Sequence, residues 1–298
     1  MPTDRDLPTF ILIGAMKCGT SSLYHYLNAH PDIFMVSPKE PHYFLAEYAD
    51  GVTWRKGTWQ NGEAWYRSLF AEGASSLARG EASTTYTKWP EYPGVAERVA
   101  ALLPDVKLVY LIRDPIERMR SHYQHEFIRH AERRPIDQAF AEDPHYLNTS
   151  RYSTQIAQYL EYFDPSRLLV LTTDQLRDER TATLSRAYRF VGVPDHVPDN
   201  IDTVIFKSTE RRVHRMAFTQ QALNQLRERK VVKILPKSLR SAGKNMLTTP
   251  PVDKPRPSEE TVEMLREELR GEMEGLRPFL GDDFNGWGLL DPRAARTT

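Results

Sequence analysis

An apolar run that empties into a glycine-bracketed loop constrains this 298-residue chain more than any other segment: Phe10-Ile-Leu-Ile-Gly-Ala-Met-Lys-Cys-Gly-Thr-Ser-Ser22. The run predicts a buried strand, and the hydroxyl residues after it predict the first turn of a helix. A helix N-terminus presents backbone N–H groups without intrahelical partners, and its dipole favours negative charge. Gly14 and Gly19 permit turns that a Cβ would obstruct. Such a strand–loop–helix unit holds phosphate, and it points to an α/β domain whose parallel sheet carries its ligand beyond the strand ends. The ATP-type loop requires Gly-Lys followed by Ser or Thr. Here Thr20 follows Gly19, and the lysine stands inside the loop as Lys17. Lysine rather than a metal ion is therefore expected to meet the reacting group, and no metal site is expected.

A second segment repeats this logic. Val106-Lys-Leu-Val-Tyr-Leu-Ile112 reads as a strand and leads into Arg113-Asp-Pro-Ile-Glu-Arg-Met-Arg-Ser121. Pro115 suits the first turn of a helix, where its missing N–H costs nothing. Arg113 then stands at the carboxyl end of a strand and Ser121 two turns along the helix, where the pair can hold a second phosphate.

Lys-x-Gly-Thr-Ser from Lys17, followed by Arg-Asp-Pro-x-x-Arg-x-x-Ser from Arg113, resembles the pattern of the PAPS-dependent sulfotransferases. PAPS is 3′-phosphoadenosine 5′-phosphosulfate. The likeness runs from about Thr9 to Trp287 and is nearest to the heparan sulfate N- and O-sulfotransferase branch and to bacterial sulfotransferase-domain proteins. It implies the sulfotransferase fold, a P-loop-like central parallel sheet flanked by helices, with PAPS as co-substrate released as adenosine 3′,5′-bisphosphate. It also implies that Lys17, Cys18, Gly19, Thr20, Ser21 and Ser22 form the 5′-phosphosulfate loop, while Arg113 and Ser121 hold the 3′-phosphate.

Between the two motifs, Ser37-Pro-Lys-Glu-Pro-His-Tyr-Phe44 supplies groups for acid–base chemistry. Sulfuryl transfer removes a proton from the acceptor and stabilises charge growing on the leaving phosphate. In heparan-type enzymes a glutamate followed two residues later by histidine, before aromatics, occupies this place, and Glu40 and His42 match it. The resemblance thus implies Glu40 as base, Lys17 as the cation on the leaving oxygen and His42 as positioner of acceptor or carboxylate. One position departs from the family: a second active-site lysine, in a Glu-Lys-Thr-Pro-type segment, is replaced by Ala82 in Glu81-Ala-Ser-Thr-Thr-Tyr86. Ser83, Thr84 or Lys88 are the residues near enough in sequence to compensate. Taken singly, Glu40 also reads as a surface carboxylate and His42 as a buried imidazole. Cys18 fits a small loop filler better than a nucleophile, and His122, His125 and His130 fit helix packing or solvent better than a metal site.

Forty Lys+Arg balance forty Asp+Glu, so a bulk preference for nucleic acid is unsupported. No apolar run approaches the roughly 20 residues that span a bilayer. The start, Met-Pro-Thr-Asp-Arg-Asp, lacks the layout of a secretory signal, and one cysteine cannot form an internal disulfide. A cytoplasmic enzyme forming a single domain over 1–298, with its core at about 9–287, is expected. Further strands are predicted at about 167–173 and near Arg79–Ser83, with helices at about 19–29, 115–130, 151–162 and 174–191. A last helix is predicted after the cap Ser258, carrying Val262, Leu265, Leu269, Met273 and Leu276 on one face.

Aromatic residues crowd 43–70; Trp65, Tyr66 and Phe70 suit one packed helix face, while Trp54 and Trp59 are candidates to stack on a flat acceptor. The segment 207–244 holds eleven Lys/Arg against two acids, which suggests contact with the nucleotide, an acidic glycan or an anionic surface, or else a solvated helical face. The expected acceptor is a carbohydrate or glycolipid hydroxyl, with a natural-product hydroxyl or an amine as alternatives. A P-loop kinase or a non-catalytic nucleotide-binding protein would share the same sheet and loop.

Overall fold

Phe10–Gly14 (β1) is buried at all five positions, as a strand covered on both faces must be. In the computed structural model, which describes residues 6–46, 57–128, 132–198, 201, 213–214, 248–249 and 255–290, β1 lies at the centre of a five-stranded parallel sheet. Its partners are β2 (Ile33–Met35), β3 (Ala78–Ala82), β4 (Lys107–Ile112) and β5 (Leu168–Thr172), in the order β2-β3-β1-β4-β5. Phe10 pairs with Gly80 on one side and Lys107 on the other. Gly80 is required by this packing, because a Cβ there would come within 2.3 Å of the Phe10 ring.

The chain leaves β1 through α1 (Thr20–Asn28) toward β2, and leaves β3 through α3 (Val95–Leu102) in the opposite direction, past β1, to β4. Right-handed crossovers place α1 and α3 on opposite faces of the sheet. The packing agrees: α1 contacts α9 (Arg180–Val191), whereas α3 contacts α7 (Tyr152–Leu160), which also packs on the helix Glu259–Glu274. The loops that follow the neighbouring strands β1 and β4 therefore emerge side by side where the sheet's connections diverge, the place where open α/β sheets bind ligands.

The predicted parallel sheet and flanking helices are present, with shifts at the ends. The helix expected at 115–130 is α4 (Pro115–Ile128), and Ser258 caps the last helix by accepting from the Thr261 amide at 3.2 Å. The continuous helix expected at 174–191 is instead two, α8 (Thr173–Asp178) and α9, because Glu179 adopts φ −125° and ψ 44°. Strand β2 and helix α3 were not expected. Trp54, His130 and nearly all of the basic segment 207–244 lie outside the described residues; of that segment only Val213–His214 is described, paired antiparallel with Thr248–Thr249. Among the described residues no helix is long and apolar enough to cross a membrane.

Candidate active site

The loop after β1 is fixed at its root by the Ala15 amide, which donates to Leu111 O at 2.7 Å. Gly19 caps α1 at φ +90°, a conformation that favours glycine, and brings no capping side chain. The first turn of α1 carries no acidic residue, so its N-terminal field is open to an anion. Thr20 is buried, Ser21 and Ser22 are half-buried, and Lys17 sits in the loop at φ +72°. Cys18 is fully buried, and desolvation pushes its thiol to about 11; it is a neutral filler of the loop.

The second turn adjoins the first. Arg113 Nη1 donates to the Lys17 carbonyl at 3.4 Å. Two side chains tie the turns together: the Thr173 hydroxyl lies 2.6 Å from Cys18 O and 3.0 Å from Ile112 O, and the Tyr152 hydroxyl donates to Arg113 O at 2.9 Å. Neither role was foreseen, because a threonine at a strand end and a tyrosine on a helix face carry no motif. Arg113 Nη2 is 3.6 Å from Glu117 Oε2 on α4, the helix in which Ser121 is buried. Arg118 is fully buried behind these turns; it donates from Nε to Ser150 Oγ and from Nη2 to Tyr146 O, and its Nη1 is buried without a hydrogen-bond partner. Burial draws its pKa down from the usual arginine range.

Beyond α1, the segment after β2 runs beside the end of β3, with the Glu40 amide donating to Ala82 O at 3.0 Å. Glu40 Oε1 accepts from the Thr84 hydroxyl at 2.9 Å and from Lys39 Nζ at 3.3 Å. The same ammonium donates to Thr20 Oγ1 at 3.2 Å, so one side chain spans the gap between the start of α1 and the carboxylate. His42 Nε2 faces Glu40 Oε2 at 3.7 Å, and its Nδ1 lies 2.9 Å from Thr85 Oγ1. The His42 amide donates to Ser83 Oγ, whose hydroxyl donates to Glu81 Oε2 at 2.9 Å. Glu81 is fully buried and also accepts from the hydroxyls of Tyr66 (2.7 Å) and Tyr86 (3.1 Å). Desolvation outweighs these donors and raises its carboxyl to about 7.

Lys17, Glu40 and His42 are three of the four non-glycine residues at positive φ among those described, at +72°, +67° and +55°; the fourth is Trp287. Such backbone is costly for residues with a Cβ and gathers at functional sites, where the surrounding structure holds it. Through Lys39, Thr20 and Glu40 share one neighbourhood with His42, and Arg113 touches the Lys17 carbonyl.

Of the three residues considered near Ala82, Thr84 reaches Glu40, Ser83 holds the His42 backbone, and Lys88 Nζ lies 3.4 Å from His145 Nε2. Lys39 was overlooked; its signal was a lysine directly before the carboxylate. His122 is buried edge-on against His145 and Tyr146, and desolvation, helped by Arg118 and Lys88, holds its pKa well below the usual histidine value. Tyr66 and Phe70 are buried, as expected for a packed face, and Tyr43, stacked on Tyr66 at 4.1 Å, and Phe44 are buried with them. Trp59 covers Tyr43 and keeps 36% of its surface exposed.

Comparison with known proteins follows the same lines. A family model of the sulfotransferase domain matches residues 7–233. Over 207 residues, 64% of this chain is 29% identical to 23% of bifunctional heparan sulfate N-deacetylase/N-sulfotransferase 4 of Mus musculus. Heparan sulfate glucosamine 3-O-sulfotransferase 6 of Homo sapiens is 26% identical over 211 residues, 66% of this chain and 56% of that protein. The chain spans about a quarter of the length of the first of these relatives. The crystal structure of a sulfotransferase from Alicyclobacillus acidocaldarius superposes with a TM-score of 0.67 at 24% identity, covering 94% of this chain and 98% of the other, and shows the same fold. By the family match over most of its length, the chain belongs to the sulfotransferase domain family.

Proposed function

We propose that this protein moves the sulfuryl group of PAPS to a hydroxyl of a carbohydrate or glycolipid acceptor, acting in the cytoplasm as a single sulfotransferase domain. The observation that carries the reading is the contact of Arg113 with the Lys17 carbonyl, which puts the turns after β1 and β4 side by side and supports their holding one ligand. The residues suit a doubly phosphorylated nucleotide. An uncapped helix N-terminus with Lys17 suits one phosphate, Arg113 with Ser121 suits the other, and the buried Arg118 adds positive charge.

When bound, PAPS supplies an activated sulfuryl group and a bisphosphate leaving group. The chain's own residues do the rest. Lys17, the loop amides and the hydroxyls of Thr20 and Ser21 stabilise negative charge on the leaving oxygen. Glu40 accepts the proton of the acceptor hydroxyl as its oxygen bonds to sulfur and the sulfur–phosphate oxygen bond breaks. His42, braced by Thr85, orients the carboxylate or the acceptor. The heparan sulfate relatives support a sugar acceptor, and Trp59, partly exposed, is the described aromatic residue proposed to meet it.

Calorimetry tests the donor assignment. Adenosine 3′,5′-bisphosphate is expected to bind much more tightly than ADP without Mg²⁺, and Arg113→Ala to erase the difference. Equal affinities in the wild type would contradict it and favour a kinase.

A further inference from the structure

The family motifs give Lys39 no task, yet its ammonium bridges the two halves of the site. It donates to Thr20 Oγ1 at 3.2 Å and to Glu40 Oε1 at 3.3 Å, with 18% of the side chain exposed. We propose that Lys39 is a positioning residue that keeps Glu40 ionised, makes Oε2 its basic oxygen and ties the base to the phosphate-holding loop through Thr20. The proposal rests on the sulfotransferase reading above.

An ammonium this close to a carboxylate favours the charged form, and partial burial of both groups limits screening by water. The Thr84 hydroxyl on Oε1 and the His42 imidazole near Oε2 also face Glu40, and the Glu81 carboxyl lies behind Ser83. Thr84 also favours the ionised form; Glu81, once ionised, opposes it.

Position matters as much as charge. Lys39 and Thr84 both donate to Oε1, which favours Oε2, on the His42 side, as the oxygen that receives the proton of an acceptor hydroxyl. Because Thr20 Oγ1 accepts from an ammonium, its own O–H proton turns away and is available to an anion. A single side chain thereby sets Thr20 as a donor and Glu40 as an acceptor. The bonded pair of Glu40 N and Ala82 O brings Lys39 up beside the strand end where Ala82 carries no charge.

The test begins with the protein free of nucleotide. The Glu40 carboxyl carbon, assigned through its loss in Glu40→Gln, is followed by NMR against pH in the wild type, Lys39→Met and Lys39→Arg. Lys39→Met is expected to raise the Glu40 midpoint by about one pH unit or more, and Lys39→Arg to keep the wild-type midpoint. The acid limb of kcat/KM should move with it. Thr20→Val should weaken binding of adenosine 3′,5′-bisphosphate while leaving the Glu40 midpoint in place. Should Lys39→Met fail to fold, Lys39→Gln provides the same reading. An unchanged midpoint on loss of the ammonium, or an arginine variant displaced as far as the methionine one, would overturn the proposal. The titration needs no nucleotide, so failure to bind the bisphosphate would strike the functional reading separately.

Discussion

Lys17, Glu40 and His42 show what single residues contribute: each holds a left-handed backbone that its Cβ disfavours, and the surrounding structure must keep it there. Replacing Glu40, the proposed base, alone should separate chemistry from binding. Glu40→Gln is expected to lower kcat by about 10²–10⁴ and leave bisphosphate affinity within about twofold; an unaltered rate would remove Glu40 from the mechanism. At Lys17 the trade runs between stability and activity. Lys17→Gly relieves the positive φ, so its unfolding free energy should stay level or rise by about 1 kcal/mol, while the rate falls by roughly 10²–10³. Denaturant melts and single-turnover rates on one preparation check both halves. These residues were legible in the sequence because each belongs to a motif with fixed spacing. Lys39 was not, since its two partners come from α1 and from its own loop and meet only in the fold.

At the scale of elements, the site depends on two strand–loop–helix units being locked together by Thr173, which belongs to neither. Thr173→Val should cost about 1 kcal/mol of stability and weaken bisphosphate binding several-fold, because the loop of Cys18 and the end of β4 lose their shared hydroxyl; thermal melting and calorimetry read the two effects. Strands β1, β4 and β5 could be read as apolar runs because both faces of the sheet are covered. Strand β2 escaped notice at three residues, too short for periodicity to register. Helix α8 begins one residue before its predicted start, with Thr172 and Gln175 forming a capping box. The break at Glu179 had no glycine or proline to announce it, so two helices read as one.

For the whole molecule, the network under the site links stability to pH. Glu81 moves from 4.5 when unfolded to about 7 in the fold, so between those values the folded state holds a proton that the unfolded chain releases. Its contribution to stability is full below pH 4.5 and is lost as pH rises through 7. His122 and His145, held neutral by burial, act the other way and lower stability as pH falls through 6.5. Comparing the wild type with Glu81→Gln cancels the histidines: the variant should gain on the wild type, by on the order of 3 kcal/mol, between pH 4.5 and 7. Parallel melting curves for the two proteins across that range would refute the assignment. The arrangement of the sheet makes one claim central, that the turns after β1 and β4 grip a single nucleotide. A crystal structure with adenosine 3′,5′-bisphosphate tests it most directly. The 5′-phosphate is expected against Lys17 and the N-terminus of α1 and the 3′-phosphate against Arg113 and Ser121; a nucleotide that touches only one of these turns would contradict the account.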